Sequence, residues 1–126
     1  MLDVGDVPPA LVALDALAKE AFVTILGRGT IQPGRFAILF AGDVESVQRS
    51  FAKAEPVCRA SLCDSVLLPY AEERLIPAIR DAAMRWPAPG DTLGVVQLGF
   101  PPTLLRAIDA ALKGAEVDLF IVWFCD

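Results

Sequence analysis

The chain of 126 residues contains no histidine. That removes the side chain most often used as a general base near neutral pH. Its three cysteines, Cys58, Cys63 and Cys125, have no framework spacing, and the odd count argues against a secreted disulfide scaffold. A zinc site would need a fourth donor that the sequence does not supply, so no metal and no cofactor are expected. The cysteines have no adjacent base with a clear role, which leaves no catalytic constellation, and the chain is not expected to be an enzyme. The thiols are expected to be reduced and mostly buried. Basic runs are also missing: the net charge is −5 and Lys and Arg are scattered, which excludes a nucleic-acid stripe. The densest charge cluster, Glu72-Glu73-Arg74, reads as a solvated loop or helix start. Gly27-Arg28-Gly29 lacks the strand–loop–helix setting of a phosphate loop. No apolar stretch is long enough to span a bilayer. The acidic opening Met1–Asp6, followed by Pro8-Pro9, does not read as a signal peptide, so a cytoplasmic protein is expected.

What is present is a large apolar fraction, 55%, of which aromatics are a small part at 8% of the chain. A packed core follows, and the excess suggests apolar surface buried between copies of the chain. A monomer with a fully buried sheet is the alternative. The chain also carries an internal repeat. Pro8-Pro9 is followed by Asp15-Ala16, Lys19, Ala21 and Val23. Pro101-Pro102 is followed by Asp109-Ala110, Lys113, Ala115 and Val117. Each copy reads as a helix opened by proline, which is tolerated in the first turn, and then a strand.

In chain order, Met1–Val7 suits a brief edge strand. The first repeated helix should turn Leu11, Leu14, Ala18 and Ala21 inward, with Asp15 and Lys19 off that face. Phe22–Ile31 reads as a strand with a bulge or bend at Gly27 and Gly29. Gln32-Pro33-Gly34 is a turn, and Arg35–Ala41 is a central strand of the same hairpin. Asp43 is an N-cap for a helix with Val44, Val47, Phe51 and Ala54 inward, limited or kinked by Pro56. Ser65–Pro69 reads as a fourth strand, with Asp64 as a strand-end turn, and Leu75–Trp86 as a helix. Trp86–Asp91 is the one convincing linker. The pattern then restarts with a strand over Thr92–Gly99, a helix over Pro101–Ala115 with Leu104, Ile108, Ala111 and Ala115 inward, and an apolar strand over Val117–Cys125. The expected fold class is α+β, an α/β sandwich: a ferredoxin-like split β-α-β domain over 1–86, a linker over 87–91, and a duplicated β-α-β half over 92–126. The last strand is apolar on both faces, so Phe120, Val122 and Phe124 are expected to mediate oligomerisation, either by pairing with the first domain or by exchange with another chain.

Several segments carry a family resemblance. They are Asp15-Ala16-Leu17-Ala18-Lys19-Glu20-Ala21, Gln32-Pro33-Gly34-Arg35-Phe36, Ala41-Gly42-Asp43-Val44, Asp64–Pro69 and Leu75–Ile79, with Leu93–Leu98 opening the second part. Their order and spacing resemble bacterial microcompartment (BMC) shell proteins, most of all the tandem-domain, trimer-forming kind that includes an iron–sulfur shell protein of propanediol utilisation. The resemblance implies a structural protein of the bacterial cytoplasm that forms six-lobed discs with copies of itself, and tiles with other shell proteins. It implies that Lys19 and Lys113 lie at the disc edge, an ordinary exposed lysine being the alternative for each. It implies that Thr30, Ile31, Gln32, Pro33 and Gly34 line a central pore that passes small metabolites, a plain hairpin turn being the alternative. Gln32 stands where the cluster-binding relative has cysteine and is not an iron ligand, so no iron–sulfur cluster is expected. Pro69-Tyr70-Ala71-Glu72 stands where the family has a Pro-Arg-Pro-His-like edge stretch. The chain has about one and a half domains against the two of a tandem relative. A ferredoxin-like regulatory domain that binds a small metabolite at a subunit interface is the other function such a topology serves.

Overall fold

The computed structural model describes residues 1–81 and 87–124. Four strands form one antiparallel sheet: β1 (Leu2–Val4), β2 (Thr24–Gln32), β3 (Arg35–Ala41) and β4 (Leu62–Ser65), in the order β2-β3-β1-β4. Helices α1 (Val7–Glu20) and α2 (Val44–Cys58) pack on one face. Helices α3 (Leu75–Asp81) and α4 (Pro101–Gly114) pack on the other. The result is an α/β sandwich with β3 inserted between the two strands of the β1-α1-β2 crossover. Among the described residues no helix is long and apolar enough to cross a membrane.

The opening strand is not an edge. It lies between β3 and β4, with Leu2 opposite Ile38 on one side and Ser65 on the other. Side chains alternate across a strand. Leu2 and Val4 therefore join Ile38 and Phe40 in the core under α1 and α2, while Met1 joins Ala37 and Val66 in the core under α3 and α4. The short length of β1 also limits its partner. β4 runs over 62–65 instead of 65–69, its pairing closed by the bonds between Met1 and Val66. Val66 and Leu68 go instead into the second core.

Asp43 caps α2 as expected, its carboxylate accepting the Ser46 N–H at 2.9 Å. Those bonds hold the carboxyl below its ordinary range. Pro56 does not end this helix. It sits in the last turn, and the chain continues into a single 3-10 turn at Arg59–Ser61. Buried Ser50 ties α2 to α1 through a 2.9 Å bond to the Leu17 carbonyl. Of the expected third helix, Leu75 and Ile79 enter the second core, whereas Ala82 and Trp86 lie outside the described residues.

The repeat is structural for the helices and not for the strands. α1 and α4 are both 14 residues long, both start with proline in the first turn, and both end on an extended alanine, Ala21 and Ala115, with φ near −154°. Residues 92–99 and 117–124 are not paired into a sheet, and Val95 is 81% exposed. The sheet order gives the reason. β1 and β2 never touch; each pairs with β3. Among the described residues the copies of β1 and β2 that flank α4 have no such strand between them.

Candidate functional site

Two regions draw together the residues singled out in the sequence: the hairpin turn, and the place where α4 meets the first domain. The turn is two residues long, with Gln32 opposite Arg35 and Gly34 at φ 78°. Proline followed by a left-handed glycine fits a type II turn, and a side chain at position 34 would be strained. Register shifts interrupt the ladder between Ile25 and Gly27 and again between Thr30 and Gln32. The first matches the bend expected near the glycines. The second lets Ile31 lean toward the second core. Thr30, Gln32, Pro33 and Gly34 are exposed together at this end of the sheet.

Behind the turn lies an ion pair that sequence reasoning missed. Asp3, fully buried at 0% exposure, receives both Arg35 Nε at 3.2 Å and Arg35 Nη2. Arg35 Nη1 donates to Gln32 Oε1 at 3.0 Å, and its guanidinium lies 5.0 Å from the centre of the Phe100 ring. The hydrogen bond to Asp3 raises the Arg35 pKa further. One arginine thus joins the turn, the central strand and the residue that begins α4. The available signal was an acid between Leu2 and Val4 on an apolar strand.

α4 has no cap of its own; Phe100 stands at its N-cap. Asp64 supplies the cap from β4, accepting the Thr103 N–H at 2.9 Å and its hydroxyl at 2.6 Å. This goes beyond the expected strand-end turn, which is also present as the Ser65 N–H bond to Asp64. At the other end Arg74 donates to the carbonyls of Leu112 (3.1 Å) and Val117 (3.0 Å). An acid at the N-terminus and a cation at the C-terminus both favour the helix dipole. Glu72 is held below the ordinary carboxylate range by its hydrogen bond from Arg74. Midway, Asp109 accepts the Glu72 N–H at 2.7 Å, while Lys113 donates to the Tyr70 carbonyl at 2.5 Å and to Asp109 at 2.7 Å. Lys113 is therefore engaged within the chain. Lys19 is exposed and bonded to Asp15 on its own helix at 2.6 Å. Phe124 packs against the second core, and Phe120 and Val122 are half-buried without forming a strand.

A cavity of about 260 Å³ between β3, the 66–71 segment and α3 is lined mostly by aliphatic groups such as Leu39, Val66, Leu68 and Ile79. Among the described residues no three Cys, Asp or Glu side chains stand close enough to hold a metal ion. Cys58 and Cys63 are free thiols, and Cys125 lies outside the described residues.

Residues 1–71 match the family model described as the BMC domain. The chain belongs to the BMC domain family. Its sheet order and flanking helices are the fold of that family as this chain builds it, and its resemblance to microcompartment proteins is supported on both sequence and structure. It is 29% identical over 119 residues to the bacterial microcompartment shell protein PduT of Citrobacter freundii, covering 94% of this chain and 64% of that protein. Among solved structures it is similar to a microcompartment protein from Desulfitobacterium hafniense DCB, with a TM-score of 0.73 and 25% identity over 95% of this chain and 66% of that one. This BMC domain chain therefore spans just under two thirds of the length of each of these relatives.

Proposed function

We propose that the chain is a structural tile of a bacterial microcompartment shell in the cytoplasm, not an enzyme, assembling with copies of itself and with other shell proteins into discs that carry a pore. The observation that carries this reading is the BMC domain match over 1–71 together with a second-repeat helix clamped onto that same domain at both ends. Residues 1–86 are the BMC-like unit, 87–91 the linker and 92–126 a partial second repeat. Thr30, Ile31, Gln32, Pro33 and Gly34 line the pore, where exposed Thr30 and Gln32 offer hydrogen bonds to small polar metabolites. Lys19 is a contact lysine toward neighbouring molecules, whereas Lys113 is engaged by the Tyr70 carbonyl and Asp109, and the apolar segment with Phe120, Val122 and Phe124 packs on the first domain, as Phe124 does, or pairs with a neighbouring chain. The apolar side chains exposed over 93–100 are a second surface for such association.

Negative-stain electron microscopy of the purified chain tests the reading. Extended sheets or tubes with a repeating disc are expected. A small discrete oligomer whose Tm rises with one metabolite, and which never tiles, would replace the tile with a ligand-binding regulatory domain.

A further inference from the structure

Chemistry fixes which way the Gln32 amide points. Arg35 spends Nε and Nη2 on buried Asp3, and its other terminal nitrogen, Nη1, donates to Gln32 Oε1 at 3.0 Å. A guanidinium offers donors only. The amide can therefore meet it with its carbonyl oxygen and not with its nitrogen, so the usual ambiguity between the two ends of a glutamine does not arise. Gln32 Nε2, with two N–H donors, is left without a partner among the described residues, on an exposed side chain.

Arg35 is itself held from behind. Asp3 is closed to water, and the Phe100 ring lies 5.0 Å from the guanidinium. A carbonyl that accepts from a cation polarises its amide and makes the N–H groups of that amide better donors. Two more donors are exposed on β2, the Thr30 hydroxyl and the Arg28 guanidinium. The side-chain carboxylates around the turn are already engaged: Asp3 by Arg35, Asp6 by the Ser61 hydroxyl at 2.7 Å, and Asp64 by Thr103. The turn thus shows donors outward and keeps its acids occupied.

We propose that Arg35 is a positioning residue that turns the Gln32 N–H groups outward, and that the turn thereby recognises small molecules bearing a carboxylate. This rests on the reading of Thr30–Gly34 as pore lining and names what that lining favours. A carboxylate accepts from Gln32, Thr30 and Arg28 and is drawn by the charge of the last. A polyol gains less, because its hydroxyl protons find the nearby carboxylates taken.

The test is a titration of the full chain, labelled with 15N and 13C, in whatever oligomeric state it is purified. Sodium acetate is the probe, with sodium chloride and glycerol as comparisons at constant ionic strength. The Gln32 side-chain N–H pair should shift downfield and saturate with acetate, the Gly34 backbone N–H should follow, and the comparisons should move neither. Gln32→Glu puts an oxygen where the N–H groups stand, and the Gly34 response should vanish. Gln32→Met leaves the Arg35–Asp3 pair in place and adds no charge, and should lose the response as fully. Arg35→Lys keeps the charge but not the fork that reaches Asp3 and Gln32 together. The ligand must then order the Gln32 side chain itself, so acetate affinity should fall about fivefold. The Gln32 Cδ resonance should also move upfield, which a general loosening of the sheet would not single out. Should Arg35→Lys not fold, the two Gln32 variants carry the test. No acetate-specific shift in the wild type, a Gly34 response that persists in Gln32→Met, or an affinity unchanged in a folded Arg35→Lys overturns the proposal. A chain that tiles but ignores acetate keeps the shell reading and loses this one, and a chain that answers acetate without tiling does the reverse.

Discussion

Replacing Arg35 by methionine is the sharpest test of how this sheet is held. Asp3 is completely buried on the central strand, and the Arg35 side chain is 17% exposed. Removing the guanidinium leaves a carboxylate with its main partner gone in a site closed to water. Breaking a buried pair from one side costs about 3–5 kcal/mol, against a total stability of about 5–15 kcal/mol for a domain of this kind. A loss of that size lowers Tm by roughly 10–20 °C at this chain length. The measurement is urea and thermal unfolding followed by circular dichroism. The double variant Asp3→Leu with Arg35→Met removes both charges, and an apolar replacement of a buried pair is commonly neutral or better. It should recover to within about 2 kcal/mol of the wild type by the same rule. Arg35→Lys should fall between, since an ammonium keeps the charge but not the two-pronged geometry. A single-variant loss below about 1 kcal/mol, the range of a surface pair, would refute the reasoning. So would a double variant as unstable as Arg35→Met, because the loss would then come from packing and the Phe100 contact.

Burial pushes the Met1 amine down from an ordinary value of 8.0 to about 5. Between those values the unfolded chain binds a proton that the folded chain does not, so stability should rise with pH across that window, by up to about 1.4 kcal/mol per unit. It should be lost again as pH falls toward 5. Urea midpoints at several pH values check this, and N-terminal acetylation should remove that part of the slope; a flat profile in the unmodified chain would count against the buried amine. Separately, Cys63 is exposed, whereas Cys58 is buried and its thiol pushed up by desolvation. Peptide mapping after brief alkylation should find Cys63 modified well before Cys58; equal rates would mean that the end of α2 opens readily.

The fold was largely legible. Alternation, turn residues and the Asp43 cap are local signals, and they place the β-α-β-β-α-β order and the Pro33-Gly34 hairpin. What failed is what pairing and burial decide. A three-residue strand gives no sign of whether it is an edge or a centre, and β1 became central because β3 and β4 both bond to it. Of the inward face read on α1, Leu14 does pack against the first core, whereas Leu11 and Ala18 are exposed, because Ala10, Ala13 and Leu17 form an equally apolar stripe beside them. On α4 the buried face includes Asp109, which no hydrophobic template selects. Asp64, Arg74 and Arg35 act on residues 39, 38 and 32 positions away. Contacts of that range leave no periodic trace. The recurrence of Asp-x-x-x-Lys in both helices was the visible clue, and on α4 that pair meets the Glu72 N–H and the Tyr70 carbonyl.

That recurrence also explains how α4 finds a place without its flanking strands. In a split β-α-β unit the helix is normally carried to the sheet by the two strands it connects, and those strands are held apart by a third. Here the strand copies over 92–99 and 117–124 pair with nothing among the described residues, yet the helix sits in full register on the opposite face of the first domain. Its hold must come from the helix itself: Leu105 and Ile108 in the second core, Asp64 at one end, Arg74 at the other, and Asp109 with Lys113 between. A helix whose docking is independent of its sheet is a transferable part.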